Sequence, residues 1–188
     1  SSQVDLIIVT YPGFLSQAQT LADYHRTHDG LRVIVATTKE VYNEFSSGGQ
    51  DICAIRDFAS MFYKRAGTDT TQMPASLLLF GGASYDYKDR VANNSNFVPV
   101  FESSESINAL MSFSSDDFYG FLDDNENIEN SSVLNVLDIG VGRLPARNTD
   151  DATNLVNKIV NYAAPPTLGP WRLSATVVAD KGCVGNNV

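Results

Sequence analysis

Short, almost uninterrupted apolar runs recur along this chain, each followed by a segment whose apolar residues fall at helical spacing. Val4 to Thr10 is the first such run, rich in β-branched residues and broken by Pro12 and Gly13. Phe14, Leu15, Ala18, Leu21 and Ala22 then mark a helix that ends near Gly30. Leu31 to Ala36 predicts a second strand, followed by a short helix around Val41 to Phe45 that Gly48-Gly49 stops. Ile52, Ile55, Phe58, Ala59 and Phe62 predict another helix, with Asp51 as N-cap and Gly67 as terminator. Leu77 to Phe80 makes a third strand, closed by Gly81-Gly82. Strands without polar alternation are buried on both faces. The pattern therefore predicts an α/β fold, a parallel sheet with helices on both faces joined by right-handed crossovers.

The stretch from Gly82 to about Phe113 breaks this rhythm. It is polar, rich in Asn and Ser, and long for a connection. A fourth strand is predicted at Leu137 to Gly142. A helix carrying Leu155, Val156, Ile159 and Val160 follows, with Asn148 or Thr149 as N-cap and Asp150-Asp151 in its positive first turn. Pro165-Pro166 and Gly169-Pro170 read as a linker, and Leu173 to Ala179 as a fifth strand. The 188 residues suffice for one ordinary domain or two small lobes. With 43% hydrophobic and 19% charged residues, the composition is globular. A net charge of −9 makes phosphate-mediated nucleic-acid binding a poor fit, and no apolar run approaches the roughly 18 residues of a membrane span. Ser1-Ser2-Gln3 leads straight into the first strand with no secretory leader ahead of it, and the chain reads as a piece of a longer one.

Loops after the carboxyl ends of the strands are where an open α/β sheet gathers chemistry. None of them is a P-loop or a dinucleotide fingerprint; Gly140-Val141-Gly142-Arg143 is a G-x-G fragment that suits close packing. Asp116, Asp117, Asp123, Asp124, Glu126 and Glu129 crowd one segment, and Asp138 returns at the next strand. Such crowding fits either a solvated acidic loop or oxygen ligands for Ca2+, although the glycine and terminal Glu of an EF-hand are missing. His25 and His28 stand three apart at a helix end with no third ligand evident, which fits a solvated helix end. Two cysteines, Cys53 and Cys183, make no disulfide framework. Cys53 suits packing, and Cys183 is a loop thiol with no histidine evident to activate it.

Four segments together resemble a known family. They are Leu78-Leu79-Phe80-Gly81-Gly82-Ala83-Ser84-Tyr85-Asp86-Tyr87-Lys88, Ser115-Asp116-Asp117-Phe118-Tyr119-Gly120-Phe121-Leu122-Asp123-Asp124, Asp138-Ile139-Gly140-Val141-Gly142-Arg143-Leu144-Pro145-Ala146, and Ala179-Asp180-Lys181-Gly182. Their order and spacing resemble the gingipain family of cysteine peptidases, C25, and within it the sortase branch of the type IX secretion system of Bacteroidetes. The resemblance implies a caspase-like three-layer sandwich of two side-by-side subdomains. On that reading residues 1–165 are the first subdomain, and residues 166–188 are a linker and the first strand of the second. It implies a parent enzyme that cleaves peptide bonds of proteins at the surface of a Gram-negative bacterium, together with secretion-system partners. The family's His-Gly histidine and the cysteine that follows it match neither His25 nor His28, nor Cys53 nor Cys183, so the chain alone is expected to be inactive.

Two further features come only from the resemblance. Asp180 matches a carboxylate near the catalytic histidine, a position from which it would orient the imidazole; the sortase branch has a second Asp where this chain has Lys181. Gingipains bind Ca2+ between the loop matching Asp123 to Glu126 and the carboxylate matching Asp138, which makes Asp123, Glu126 and Asp138 the candidate ligands. The family's Asp after the strand-end glycine is Gly82 here, and Asp86 is the residue that would replace it. Two rivals stand beside this reading: a family member that has lost the dyad and serves as a surface binding or scaffold module, and a flavodoxin-like ligand binder, since β-α-β-α-β is generic.

Overall fold

The structure is a computed structural model that describes residues 3–105, 107–108, 110–130, 132, 135–162 and 169–177. Its centre is a four-stranded parallel sheet in the order β2-β1-β3-β6. Strand β1 is Leu6–Thr10, β2 Val33–Thr37, β3 Ser76–Phe80 and β6 Gly140–Leu144. A two-residue antiparallel ribbon, β4 (Phe101–Glu102) with β5 (Ser114–Ser115), lies in the long segment between β3 and β6.

The period of two along the strands divides the core. Ile7, Val9, Leu77 and Leu79 face one cluster, completed by Val41 of helix α2 (Thr38–Phe45) and by Ile55, Phe58 and Phe62 of helix α3 (Ile52–Ala66). Leu6, Ile8 and Phe80 face the other, filled by Leu21 and Ala22 of helix α1 (Leu15–His28) and by Ala152 and Val156 of helix α4 (Thr149–Tyr162). Helices thus cover both faces, as the buried strands predict. Several ends are held as the sequence foretells. The Asp51 side chain accepts from Cys53 N at 2.8 Å, Gly67 follows α3 at φ 61°, and the Asn148 side chain accepts from Asp151 N at 2.8 Å. Thr37 adds a capping box: its hydroxyl accepts from Glu40 N, while the Glu40 carboxylate accepts from Thr37 N.

Two strand predictions differ from the structure. The fourth strand starts at Gly140 and runs to Leu144 instead of occupying 137–142. Asp138 is drawn out of the ladder because its N–H donates to Gly120 O and its carboxylate serves Tyr63 and Leu122. The predicted fifth strand, Leu173 to Ala179, forms no strand over its described part. Pro170 opens a 3₁₀ turn over Pro170–Leu173, and residues 174–177 carry no strand pairing. Residues 178 and 179 lie outside the described residues.

Candidate functional site

The strand order reverses direction between β1 and β3, the crevice where open α/β sheets admit a ligand. Here aromatic side chains fill it. Tyr11 lies 4.4 Å from Phe97 and 5.2 Å from Phe14, ring centre to ring centre, and Phe14 lies 6.0 Å from Phe80. Tyr11 N donates to Phe80 O at 3.1 Å, which closes the backbone across the gap. This packing counts against a flavodoxin-like site.

Polar groups concentrate instead on the loops after β3 and β6. The ladder between these strands continues beyond them: Gly81 N donates to Leu144 O at 2.9 Å and Gly82 N to Ala146 O at 2.8 Å. The chain then loops out and returns, with Phe97 N and Val98 N both donating to Gly82 O at 3.0 Å. Gly81 has φ +155°, and a Cβ there would lie 2.9 Å from Val98 Cγ2 and 3.0 Å from Phe97 Cβ, so this return requires glycine. Within the loop the buried Asp86 carboxylate accepts from Arg90 N at 2.6 Å and Val91 N at 2.7 Å, so it organises its own turn.

Arg143 ties these pieces together. Its Nε and Nη2 donate to the two Asp116 oxygens at 2.7 and 2.6 Å. Nη1 donates to Gly81 O at 2.9 Å and Val98 O at 2.6 Å, and Nη2 also reaches Pro99 O at 3.1 Å. One guanidinium therefore joins the end of β3, the returning loop and the ribbon's exit. This is the bidentate geometry that arginine supplies and lysine does not. Sequence reasoning read the Gly-Val-Gly-Arg run as packing and missed the clamp; its signal was a charged residue in an apolar strand together with an Asp-Asp pair upstream.

Asp123, Glu126 and Asp138 come to the far side of this segment. Asp138 accepts from Tyr63 O–H at 2.9 Å and Leu122 N at 2.8 Å. Glu126 accepts from Asp123 N and Val136 N, both at 3.1 Å. The Tyr63 phenol is pushed up to about 12, first by its bond to Asp138 and then by burial, with further repulsion from Asp138, Asp123 and Glu126. All three carboxylates thus act on the Tyr63 phenol. As they stand, each oxygen of Glu126 and Asp138 accepts one N–H or O–H donor, and among the described residues no three His, Cys, Asp or Glu side chains gather to hold a metal. Asp86 does not join them. A Cβ at Gly82 would lie 3.0 Å from Ser95 O and 3.3 Å from Ala146 O, so there is little room for the side chain the family carries there.

The remaining candidates are dispersed. His25 and His28 end α1, at the opposite end of the sheet from the loops, and both Nδ1 atoms face the Asp29 carboxylate at 2.6 and 2.7 Å. Cys53 lies exposed in the first turn of α3, where partial desolvation and the Asp51 carboxylate push its thiol up, the reverse of an activated nucleophile. Asp180 and Cys183 lie outside the described residues. A cavity of about 560 Å³ also lies at the N-terminal ends of the strands and is lined by Leu21, Leu31, Leu78, Val141 and Ile159 with His25 at its edge. No helix among the described residues is long and apolar enough to cross a membrane.

Comparison with solved structures matches this architecture to dimeric latent PorU from Porphyromonas gingivalis. The match has 34% identity and a TM-score of 0.74, over 92% of this chain and 17% of that one. The Arg-specific cysteine proteinase gingipain R shares the fold, with a TM-score of 0.55 at 13% identity over 86% of this chain and 29% of that one. The chain therefore spans less than a third of either. No curated protein sequence matches it. The family model for peptidase family C25 matches residues 1–187, and the chain belongs to that family.

Proposed function

We propose that these 188 residues are the part of a cysteine peptidase or sortase that does not carry the catalytic dyad. Residues 1–165 form its first subdomain, and residues 166–188 lead into the second. The observation that carries this reading is the 34% identity with PorU across 92% of the chain. The parent protein acts on peptide bonds of proteins, and cleavage of cargo signals in type IX secretion at the bacterial surface is the activity that fits best. In the parent, a cysteine thiolate attacks the scissile carbonyl carbon. The C–N bond breaks, a histidine gives its proton to the departing amine, and a thioester remains. Water then takes the acyl group in a peptidase, and an amine takes it in a transpeptidase. Asp180 supports the histidine as its orienting carboxylate.

Two observations support assigning the dyad to residues other than these. His25 and His28 are committed to Asp29 at the far end of the sheet, and Cys53 has a raised thiol pKa. The expected result is no thiol-dependent turnover of a peptide library by the purified 188-residue chain. Cleavage that disappears on Cys183→Ala would overturn the assignment.

Calcium is a separate proposal, and no catalytic step runs through it. It rests on the family resemblance and on the shared field of Asp123, Glu126 and Asp138 at Tyr63. Binding would use the lone pairs left on Glu126 and Asp138, each of whose oxygens already accepts one donor. A hundredfold excess of Ca2+ over its Kd would stabilise the fold by about 2.7 kcal/mol. Melting that does not respond to millimolar Ca2+ would rule it out.

A further inference from the structure

Strand β2 ends the sheet, and its composition makes that position hazardous. Val33-Ile34-Val35-Ala36-Thr37 is apolar and mostly β-branched, with no charge, proline or bulge of its own to turn away another strand. Its outward hydrogen-bonding groups follow from the register. Leu6 pairs with Val33, and Leu6 N donates to Arg32 O at 3.2 Å. Arg32, Ile34 and Ala36 therefore turn their N–H and C=O toward β1, and Val33, Val35 and Thr37 turn theirs away from the sheet.

Side chains from the flanking helices occupy two of these outward groups. Arg26 of α1 donates from Nη2 to Val33 O at 2.7 Å, while its Nη1 is held by Asp23 Oδ1 at 2.6 Å. Glu40 of α2 accepts from Thr37 N at 2.8 Å, a bond that also completes the α2 capping box. Among the described residues no hydrogen bond engages Val35 N or Val35 O.

The symmetric way for a second copy to add to this edge is antiparallel, about a twofold axis. With Val35 opposite Val35 of the copy, these two residues exchange both N–H···O bonds and Val33 falls opposite Thr37. The next bonds of that ladder run from Thr37 N of one copy to Val33 O of the other. Glu40 holds that donor and Arg26 that acceptor, so both ends of the same intermolecular bond are already taken. The Thr37 C=O opens the α2 ladder as its N-cap carbonyl, which leaves only the Val35 bonds for a partner.

We propose that Arg26 and Glu40 together plug the β2 edge against pairing with a second copy of this chain. This role is independent of the peptidase reading.

The test compares the wild-type chain, Arg26→Ala, Glu40→Ala and the double variant by sedimentation velocity over a concentration series, with circular dichroism to establish that each is folded. The double variant should self-associate at least about tenfold more tightly than the wild type or either single variant, because each released bond needs both plugs out. Adding Val35→Pro should abolish that gain, since this N–H faces outward and β1 does not use it. Glu40→Gln keeps a carbonyl oxygen for Thr37 N, so with Arg26→Ala it should behave as Arg26→Ala alone. Amide exchange of the wild type supplies a reading that needs no variant. Val35 should exchange at least about tenfold faster than Ile34 and Ala36, which β1 protects, and than Thr37, which Glu40 protects. A folded double variant no tighter than wild type, a gain that survives Val35→Pro, a Val35 amide as protected as Ile34, or a Thr37 amide as fast as Val35 would each overturn the proposal.

Discussion

Arg143→Met keeps the length and much of the volume of the side chain and removes all five of its hydrogen bonds. The Arg143 side chain is 13% exposed and that of Asp116 is 25% exposed, so the substitution strands a carboxylate that water reaches only in part. It also leaves Gly81 O, Val98 O and Pro99 O without their guanidinium donor. Breaking a buried ion pair from one side costs about 3–5 kcal/mol. Asp116 recovers some hydration, which places this case at the lower end, about 3 kcal/mol. In a domain of this size that lowers Tm by about 6–12 °C. Arg143→Lys retains the charge but not the fork, and should cost about 1–2 kcal/mol. The assay is thermal and urea unfolding of both variants, of Asp116→Asn, and of the double variant Arg143→Met with Asp116→Asn. The double variant should recover about 2 kcal/mol relative to the sum of the single losses, because each removes what the other needed. A Tm drop below about 2 °C in Arg143→Met, or strict additivity in the cycle, would refute the clamp.

Three further outcomes follow from the same geometry. The Arg32 guanidinium holds the Asp5 carboxyl below its ordinary range, so this pair stabilises the fold above the usual aspartate pKa and loses that effect as pH falls through the lowered value; the Tm difference between wild type and Asp5→Asn should therefore be full at pH 7 and close below about pH 4. Tyr63→Phe removes the phenol that donates to Asp138 and should cost about 1 kcal/mol; because the folded phenol titrates at about 12, the difference should be constant below pH 10 and shrink above it in alkaline melts. Gly120→Ala would put a Cβ 2.7 Å from Leu137 Cδ2, 2.9 Å from Val141 Cγ2 and 3.0 Å from Ile139 O; overpacking against backbone should cost about 1–3 kcal/mol in urea unfolding.

The layered fold was legible because its signals are local. Leu6–Thr10 and Ser76–Phe80 are buried strands whose apolar runs need no partner to be recognised. Asp51 and Gly67 bracket α3 by the chemistry of a cap and a left-handed turn. What escaped depends on distant pairs. Asp138 looked like part of a strand, and only its bonds to Tyr63 and Leu122 show why the strand begins beyond it, at Gly140. Arg143 sits in a run of small residues, and its role appears only when Asp116 and the carbonyl of Gly81 are brought to it. The Thr37–Glu40 capping box was readable from its spacing and was overlooked.

The strand register also dictates how this sheet can assemble. Ile8 pairs with Val35 on one side and with Leu78 on the other, and Leu78 in turn pairs with Gly142. Only the first pairing closes a short loop. The other two each enclose more than twice as much chain, and each doubling costs about 0.6 kcal/mol of closure entropy before any contact offsets it. The β1-α1-β2 unit is therefore the natural nucleus, β3 joins it next, and β6 comes last because its clamp needs the ends of β3 and the ribbon in place. A chain emerging from a ribosome presents its segments in that same order, so the topology lets each strand meet a surface already formed. The cost is speed, since a sheet made mainly of distant parallel pairs should fold slowly for its length.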